Sequence, residues 1–419
     1  MTAEVDMLHR RQTRQAISLE DLVMWCMQLF LGFLFVVLIE PAPSDLFFAL
    51  GFGIFLFTGK LAVARNLHPF FLAFLVFFFA NMISALFWKS AGFGAQYMAI
   101  TVYMLLIPLM MAHFALRYGE EAVDRFYKAL FISALISSII GVLAVLRLTP
   151  GPVDWYFRSD DALRLSPLFK DPNVFGPFMT TAATLLIGQS MRASARHKVR
   201  GLLLALFMLF VMFLAFSRGA WAGTALSAAI FFVLMALFAR QRRTVVTFSL
   251  FSTIGTTIAL LAGMVLLIKL NLADFFTRRF ALQSYDDNRF SNWANALEVI
   301  TERPLGVGPG HYVGRTHFPE SEFGLATHNI YLKVAVENGW LGFIAFFGAI
   351  LLLLVQLAHS IMTSDDRQPL RIAIFAAIIG QLFNSFVVDS LHWRHLFVLF
   401  GFGCCELVLL QIGARKRSQ

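Results

Sequence analysis

Residues 339–358 read GWLGFIAFFGAILLLLVQLA, twenty positions without a charge. A helix rising 1.5 Å per residue needs about that many apolar residues to cross the roughly 30 Å hydrocarbon core of a bilayer. Ten more runs of this kind lie along the chain, at 21–39, 70–88, 95–116, 126–147, 172–190, 200–216, 219–239, 246–269, 370–388 and 395–412. A twelfth, 44–59, is short but carries no charge after Asp45. Composition agrees, because 58% of the 419 residues are hydrophobic and only 14% are charged. A soluble domain holds about 25% charged residues and cannot hide this much apolar surface, so lipid is the solvent for much of the chain. The expectation is an all-α polytopic membrane protein with about 12 transmembrane helices, forming one integral membrane domain over residues 1–419. Residues 1–20 are charged and lack an apolar core, and no cleavable signal peptide is evident there.

Lys and Arg favour the cytoplasmic side of short membrane loops. With the amino terminus and its Arg10, Arg11 and Arg14 inside, Lys60, Arg65, Arg117, Arg125, Lys128, Arg192, Arg196, Lys198, Arg200, Arg240, Arg242, Arg243, Arg367 and Arg371 also fall inside. The tail adds Arg415, Lys416 and Arg417, so more than half of the 34 basic residues lie on one side. Both termini are therefore expected in the cytoplasm. The net charge of +9 is spread between apolar runs rather than gathered in one patch, which argues against nucleic acid. Cys26, Cys404 and Cys405 all lie in apolar runs and read as buried hydrophobes rather than a disulfide framework.

Two outside loops, 148–171 and 270–328, are longer than the connections usual between packed helices. They hold Trp155, Tyr156, Phe157, Trp293 and Tyr312 among many charges, a composition that suits short helices at the interface. Three stretches in or beside them can carry chemistry. In Lys170-Asp171-Pro172-Asn173, Asp171 is a natural helix cap and Pro172 suits a first turn, so capping alone accounts for the pattern. In Ser217-Arg218-Gly219-Ala220, Arg218 sits at the membrane surface between two spans. It either faces a watery cavity or snorkels to lipid phosphates. The third stretch holds Arg289, Trp293, the glycine-rich Pro304–Gly310 and His328-Asn329-Ile330-Tyr331. Those glycines lack the Lys-Ser/Thr ending and strand context of a nucleotide loop, which leaves a turn re-entering the membrane. His328 stands where the loop re-enters the bilayer, and an imidazole there serves either as a base or as a structural group. His311, His317, His392 and His395 offer no clear ligand set, and no metal or other cofactor is expected.

Clustered arginines beside lipid suit a diphosphate on a lipid carrier, because a guanidinium fork binds phosphate through two hydrogen bonds. The same residues resemble the bacterial O-antigen ligase and polysaccharide polymerase superfamily. The match rests on Asp171-Pro172-Asn173, Ser217-Arg218-Gly219-Ala220, Arg289 with Trp293, Pro304–Gly310, and His328-Asn329-Ile330-Tyr331-Leu332 followed by Glu337, Gly339 and Gly342. The resemblance implies a membrane glycosyltransferase of the bacterial inner membrane. It would take a glycan from undecaprenyl diphosphate and give it to a lipid A–core or glycan acceptor on the periplasmic side. It further implies that Arg218 and Arg289 hold the diphosphate and that His328 activates the acceptor. Arg164, Lys170, Asp171, Asn173, Asn329 and Tyr331 are candidate substrate contacts. Ligase and polymerase share these motifs, so the acceptor stays open. A polysaccharide transporter or flippase is the reading from another class, but it favours mid-span charges and inverted repeats that are not evident.

Overall fold

The computed structural model describes residues 18–58, 61–88, 90–158, 164–238, 284–312 and 327–418. Its helices are α1 Leu19–Gly32, α2 Pro43–Thr58, α3 His68–Ser84, α4 Ala91–Tyr118, α5 Glu120–Val145 and α6 Pro172–Met191. They continue as α7 Ala195–Phe213, α8 Arg218–Phe238, α9 Ser284–Glu302, α10 Ile330–Ile361, α11 Gln368–Asn384 and α12 Arg394–Ser418. Every expected span among the described residues overlaps one of these helices, and the 246–269 run lies outside them. By length and composition, six described segments can cross a membrane: Arg65–Phe87, Ala91–Tyr118, Glu120–Val145, Arg218–Phe238, Ile330–Ile361 and Arg394–Lys416. The chain is thus a helical, multi-pass membrane protein.

The remaining helices are shorter or less apolar, and α6 shows why. It is almost wholly buried, so it needs no lipid-facing stripe. Thr180, Thr181 and Ser190 occupy its interior, each returning its hydroxyl to the carbonyl four residues back. Gln381 of α11 crosses to it, donating to the Pro177 carbonyl at 2.6 Å and the Thr181 hydroxyl at 2.7 Å. The outer helices do the opposite. Phe57 of α2 is 86% exposed and Leu237 of α8 is 69% exposed, the side chains of a surface solvated by lipid. Between the inner and outer layers, α8 approaches α11 at backbone distance, with Gly223 against the Gly380 carbonyl. All three cysteines are free and buried.

The run that opened the sequence reading begins at a break. Gly339 has φ 67° and ψ −176°, so α10 is a segment over 330–338 followed by a kink and a long apolar helix. The kink frees backbone groups that must find partners. The Pro304–Gly310 turn supplies them. Val307 N–H donates to the Val336 carbonyl at 3.0 Å, Gly308 N–H to the Glu337 carbonyl at 3.1 Å, and Trp340 N–H to the Pro304 carbonyl at 3.0 Å. Ser84, at the end of α3, also donates to the Glu337 carbonyl. Gly306 (φ 88°) and Gly339 lie backbone to backbone, so a side chain at either would overlap the other strand of chain. The glycine-rich stretch is therefore a backbone clamp on a kinked helix.

The two long loops are built differently. The described part of 270–328 holds α9, a helix of 19 residues. Its Ile300 packs with Ala335 and Val336 of α10 in a small separate core. In 148–171 the chain forms a 3-10 turn at Val153–Trp155 and a two-residue antiparallel ladder pairing Phe157–Arg158 with Arg164–Leu165. A helix was expected there. Instead, Leu165 N–H reaches the Leu214 carbonyl after α7, and the ladder ties the loop to that turn.

Candidate functional site

The site is assembled where three helix starts meet. Asp171 caps α6, its carboxylate accepting the Asn173 N–H at 2.8 Å. The Asn173 side-chain carbonyl accepts twice, from Arg164 at 3.0 Å and from the Ser217 hydroxyl at 2.9 Å. Asn173 therefore ties the 148–171 loop and α6 to the turn before α8. Arg218 is the first residue of α8 and is half-buried. A helix start carries partial positive charge, and a guanidinium added there makes the spot more attractive to an anion. Lys170 turns outward and pairs with Glu40 at 3.0 Å, away from this tether.

The third helix start is that of α10. Asn329 caps it, accepting from the N–H groups of Tyr331 at 2.9 Å and Leu332 at 3.1 Å. Ile330 N–H donates to the Ser385 carbonyl at the end of α11. Tyr331 lies between the rings of Phe347 and Phe386 and donates its hydroxyl to the Leu382 carbonyl. The polar groups of Asn329 and Tyr331 thus hold α10 in place. Between Thr327 and Asn329, His328 adopts a left-handed backbone (φ 47°) that few non-glycine residues accept. This turn re-aims the imidazole relative to the helix that follows.

Helix α9 brings Arg289 to the same place. Trp293, one turn beyond Arg289 on the same face, donates its indole N–H to the Thr327 carbonyl at 2.8 Å. Tyr312 donates its hydroxyl to the Asn292 carbonyl. The half-buried Arg289 and His328 lie close enough to interact electrostatically. Burial holds the His328 imidazole below its usual value. Arg289 and Lys333 reinforce the shift, while Asp389 and Asp171 oppose it. Neutral imidazole is the form that accepts a proton.

The structure also shows a polar group that the sequence reading missed. Lys333, one turn into α10, pairs with Asp389 at 2.5 Å. Its ammonium lies 5.1 Å from the Tyr97 ring centre, and the His392 ring packs against the same tyrosine with its centre 4.3 Å away. Burial opposes ionisation of Asp389, but Lys333 overcomes it and holds the carboxyl below its ordinary range. His392 bonds Thr101 at 2.9 Å, and burial lowers it to about 4. The sequence does carry a signal, since Asp389, His392 and Arg394 crowd one short link between two apolar runs. The other outside histidines are dispersed. His311 stacks on Trp88, His395 packs beside Trp393 and Phe178, and His317 lies outside the described residues.

The class that the fold defines is a helical, multi-pass membrane protein, with a histidine, two half-buried arginines and an ion pair near helix ends. Residues 203–347 match the family model described as O-antigen ligase, which supports the O-antigen ligase and polysaccharide polymerase superfamily. That interval contains Ser217, Arg218, Arg289, the 304–310 clamp, His328 and the kink of α10. Its members are glycosyltransferase-like ligases and polymerases of membranes, and the match supports a role in polysaccharide biosynthesis. No curated protein matches the chain.

Proposed function

We propose that this protein transfers a glycan from an undecaprenyl-diphosphate carrier to an acceptor hydroxyl at the periplasmic face of the bacterial inner membrane. In this reading twelve helices cross the membrane and both termini are cytoplasmic, as the Lys and Arg pattern suggests. The observation that carries the proposal is that Arg289 and Asp171 both act electrostatically on His328, while Asn173, whose N–H Asp171 caps, accepts from Ser217 next to Arg218.

The chemistry follows from charge. The acceptor oxygen attacks the anomeric carbon of the donor sugar. The bond from that carbon to the diphosphate oxygen breaks, and its electrons leave with the lipid diphosphate. His328 takes the acceptor proton. Arg218 and Arg289 neutralise the leaving group, which is where electrostatic stabilisation is most effective. Positioning by Asn329 and the Lys333–Asp389 pair keeps the imidazole aimed at the acceptor. Ligase and polymerase share this step and differ in the acceptor.

The test is transfer by purified protein with a lipid-linked glycan and separate acceptors. Product on lipid A–core marks a ligase, and longer glycan on the carrier marks a polymerase. Absence of product with either acceptor would overturn the reading.

A further inference from the structure

At the far end of α6 from Asp171, about 30 Å away at 1.5 Å per residue, the surface opens into two cavities that share a wall. One, of about 660 Å³, has a mixed lining whose charged groups are Lys128, Arg192, Arg200, Asp124 and Asp366, with His197 beside them. The other, of about 290 Å³, is mainly apolar and runs past Phe131, Ile132 and Leu135 of α5, Leu186 of α6, and Leu204 and Met208 of α7. From Lys128 to Leu135 the apolar part follows α5 for about 10 Å. Arg192 is already balanced, donating to Gln189 at 3.1 Å and Asp366 at 3.1 Å and lying 3.8 Å from Asp124. Lys128 and Arg200 are exposed, and among the described residues they have no hydrogen-bond or ion-pair partner.

We propose that this cleft binds an anionic phospholipid, with its phosphodiester between Lys128 and Arg200 and an acyl chain in the groove between α5 and α7. Charge selects the headgroup, because the two acids of the cleft face Arg192 and leave two cations open to an anion. Shape selects a lipid over a free anion, because the larger chamber continues into a groove walled by six apolar side chains. The site lies at the opposite end of the bundle from His328 and does not rest on the proposed glycan transfer.

The test uses the full-length protein in detergent with dioleoylphosphatidylglycerol, dioleoylphosphatidylcholine or inorganic phosphate as probe. Native mass spectrometry reads retained lipid, and thermal unfolding reads protection. The anionic lipid should be retained in preference to the zwitterionic one, and phosphate alone should give no protection. Lys128→Ala with Arg200→Ala should weaken retention about thirtyfold, the effect of two surface cations worth about 1 kcal/mol each at 1.4 kcal/mol per tenfold. Leu204→Trp, which fills the groove and keeps the charges, should also abolish retention. Lys198→Ala, outside the cleft lining, should leave it unchanged. Equal retention of the two lipids, protection by phosphate equal to that by lipid, or retention unaffected by the double variant or by Leu204→Trp would each overturn the proposal. The comparison of probes on the unmodified protein decides the matter even where a variant folds poorly.

Discussion

Arginine is used in two ways at the two ends of α11. At its start, Arg367 is 5% exposed and grips Glu406, itself fully buried, through two hydrogen bonds of 2.6 and 2.8 Å. Tyr127 donates to the same carboxylate. Arg371, 1% exposed, is filled by Asp365 and by the Ser360 and Thr363 carbonyls. Beyond the other end of α11, Arg218 and Arg289 stand half-buried, and burial followed by Arg289 holds the His328 imidazole below its usual value. A guanidinium enclosed by carboxylate and carbonyl is a fastener between helices. A guanidinium that stays half-buried at a helix end is the kind that the proposed function assigns to the substrate's diphosphate. The contrast shows that burial, rather than residue type, separates the structural arginines from the candidate functional ones.

The contrast can be broken first at the level of topology, where the outcome is all or none. The two ends are expected on opposite sides of the membrane. The native cysteines are buried and should be silent. A cysteine replacing Leu297, 55% exposed on α9, should label with an impermeant thiol reagent in intact cells, whereas one replacing Ser418 should not. Labelling only at Ser418 would reverse the orientation.

Next in size are the site substitutions. His328→Ala should lower the transfer rate about 10²- to 10⁴-fold with donor binding retained, as for loss of a general base. Lost donor affinity would move His328 into the phosphate site. Arg218→Lys and Arg289→Lys should each cost about 10²-fold, because a point charge cannot replace a planar fork. Near-normal rates in both lysine variants would reduce them to membrane anchors. At the fastened end, Glu406→Ala should strip Arg367 of its buried, hydrogen-bonded partner and leave only the more distant Glu120 at 3.7 Å and Asp124 at 3.6 Å, lowering stability by about 3 kcal/mol. A melting temperature within a degree of the unmodified protein would contradict the fastener.

The smallest effect concerns pH. His328 is held below its ordinary value of 6.5 by burial and by Arg289, so the transfer rate should rise with pH and pass half its plateau below pH 6.5. Asp389→Asn removes a charge that favours the imidazolium and leaves Lys333 to oppose it. The acid limb of the pH–rate profile should therefore move to lower pH. An unmoved limb would mean that Asp389 does not act on His328.

The helices were largely legible because hydropathy over twenty residues is a strong signal. The start of α10 was not. Residues 330–338 include Lys333, Glu337 and Asn338, which exclude them from any apolar window, yet Glu337 and Asn338 are buried. Their burial depends on Asn81, Ser84 and the 304–310 turn, partners far away in sequence. Asp389 was hidden for the same reason, since its meaning comes from Lys333, 56 residues earlier. Within the site, Asp171 was readable as a cap. That Asn173 joins Arg164 to Ser217 was not legible, because the junction needs the packing of α6 against α8. The resemblance implies roles for Arg289 and His328, but the helix α9 that carries Arg289 falls in no apolar run and was not legible.

The clamp on the kink of α10 is made of main-chain bonds apart from the Ser84 hydroxyl. Main-chain bonds are indifferent to side-chain chemistry, so the alignment of the loop with its helix does not depend on what that loop recognises. A saturation scan across 304–310 should therefore find Gly306, and Gly339 facing it, nearly immutable, with Leu305, half-exposed between them, free to vary. Such a joint lets the side chains of a surface drift while the register of the helix beneath it stays fixed.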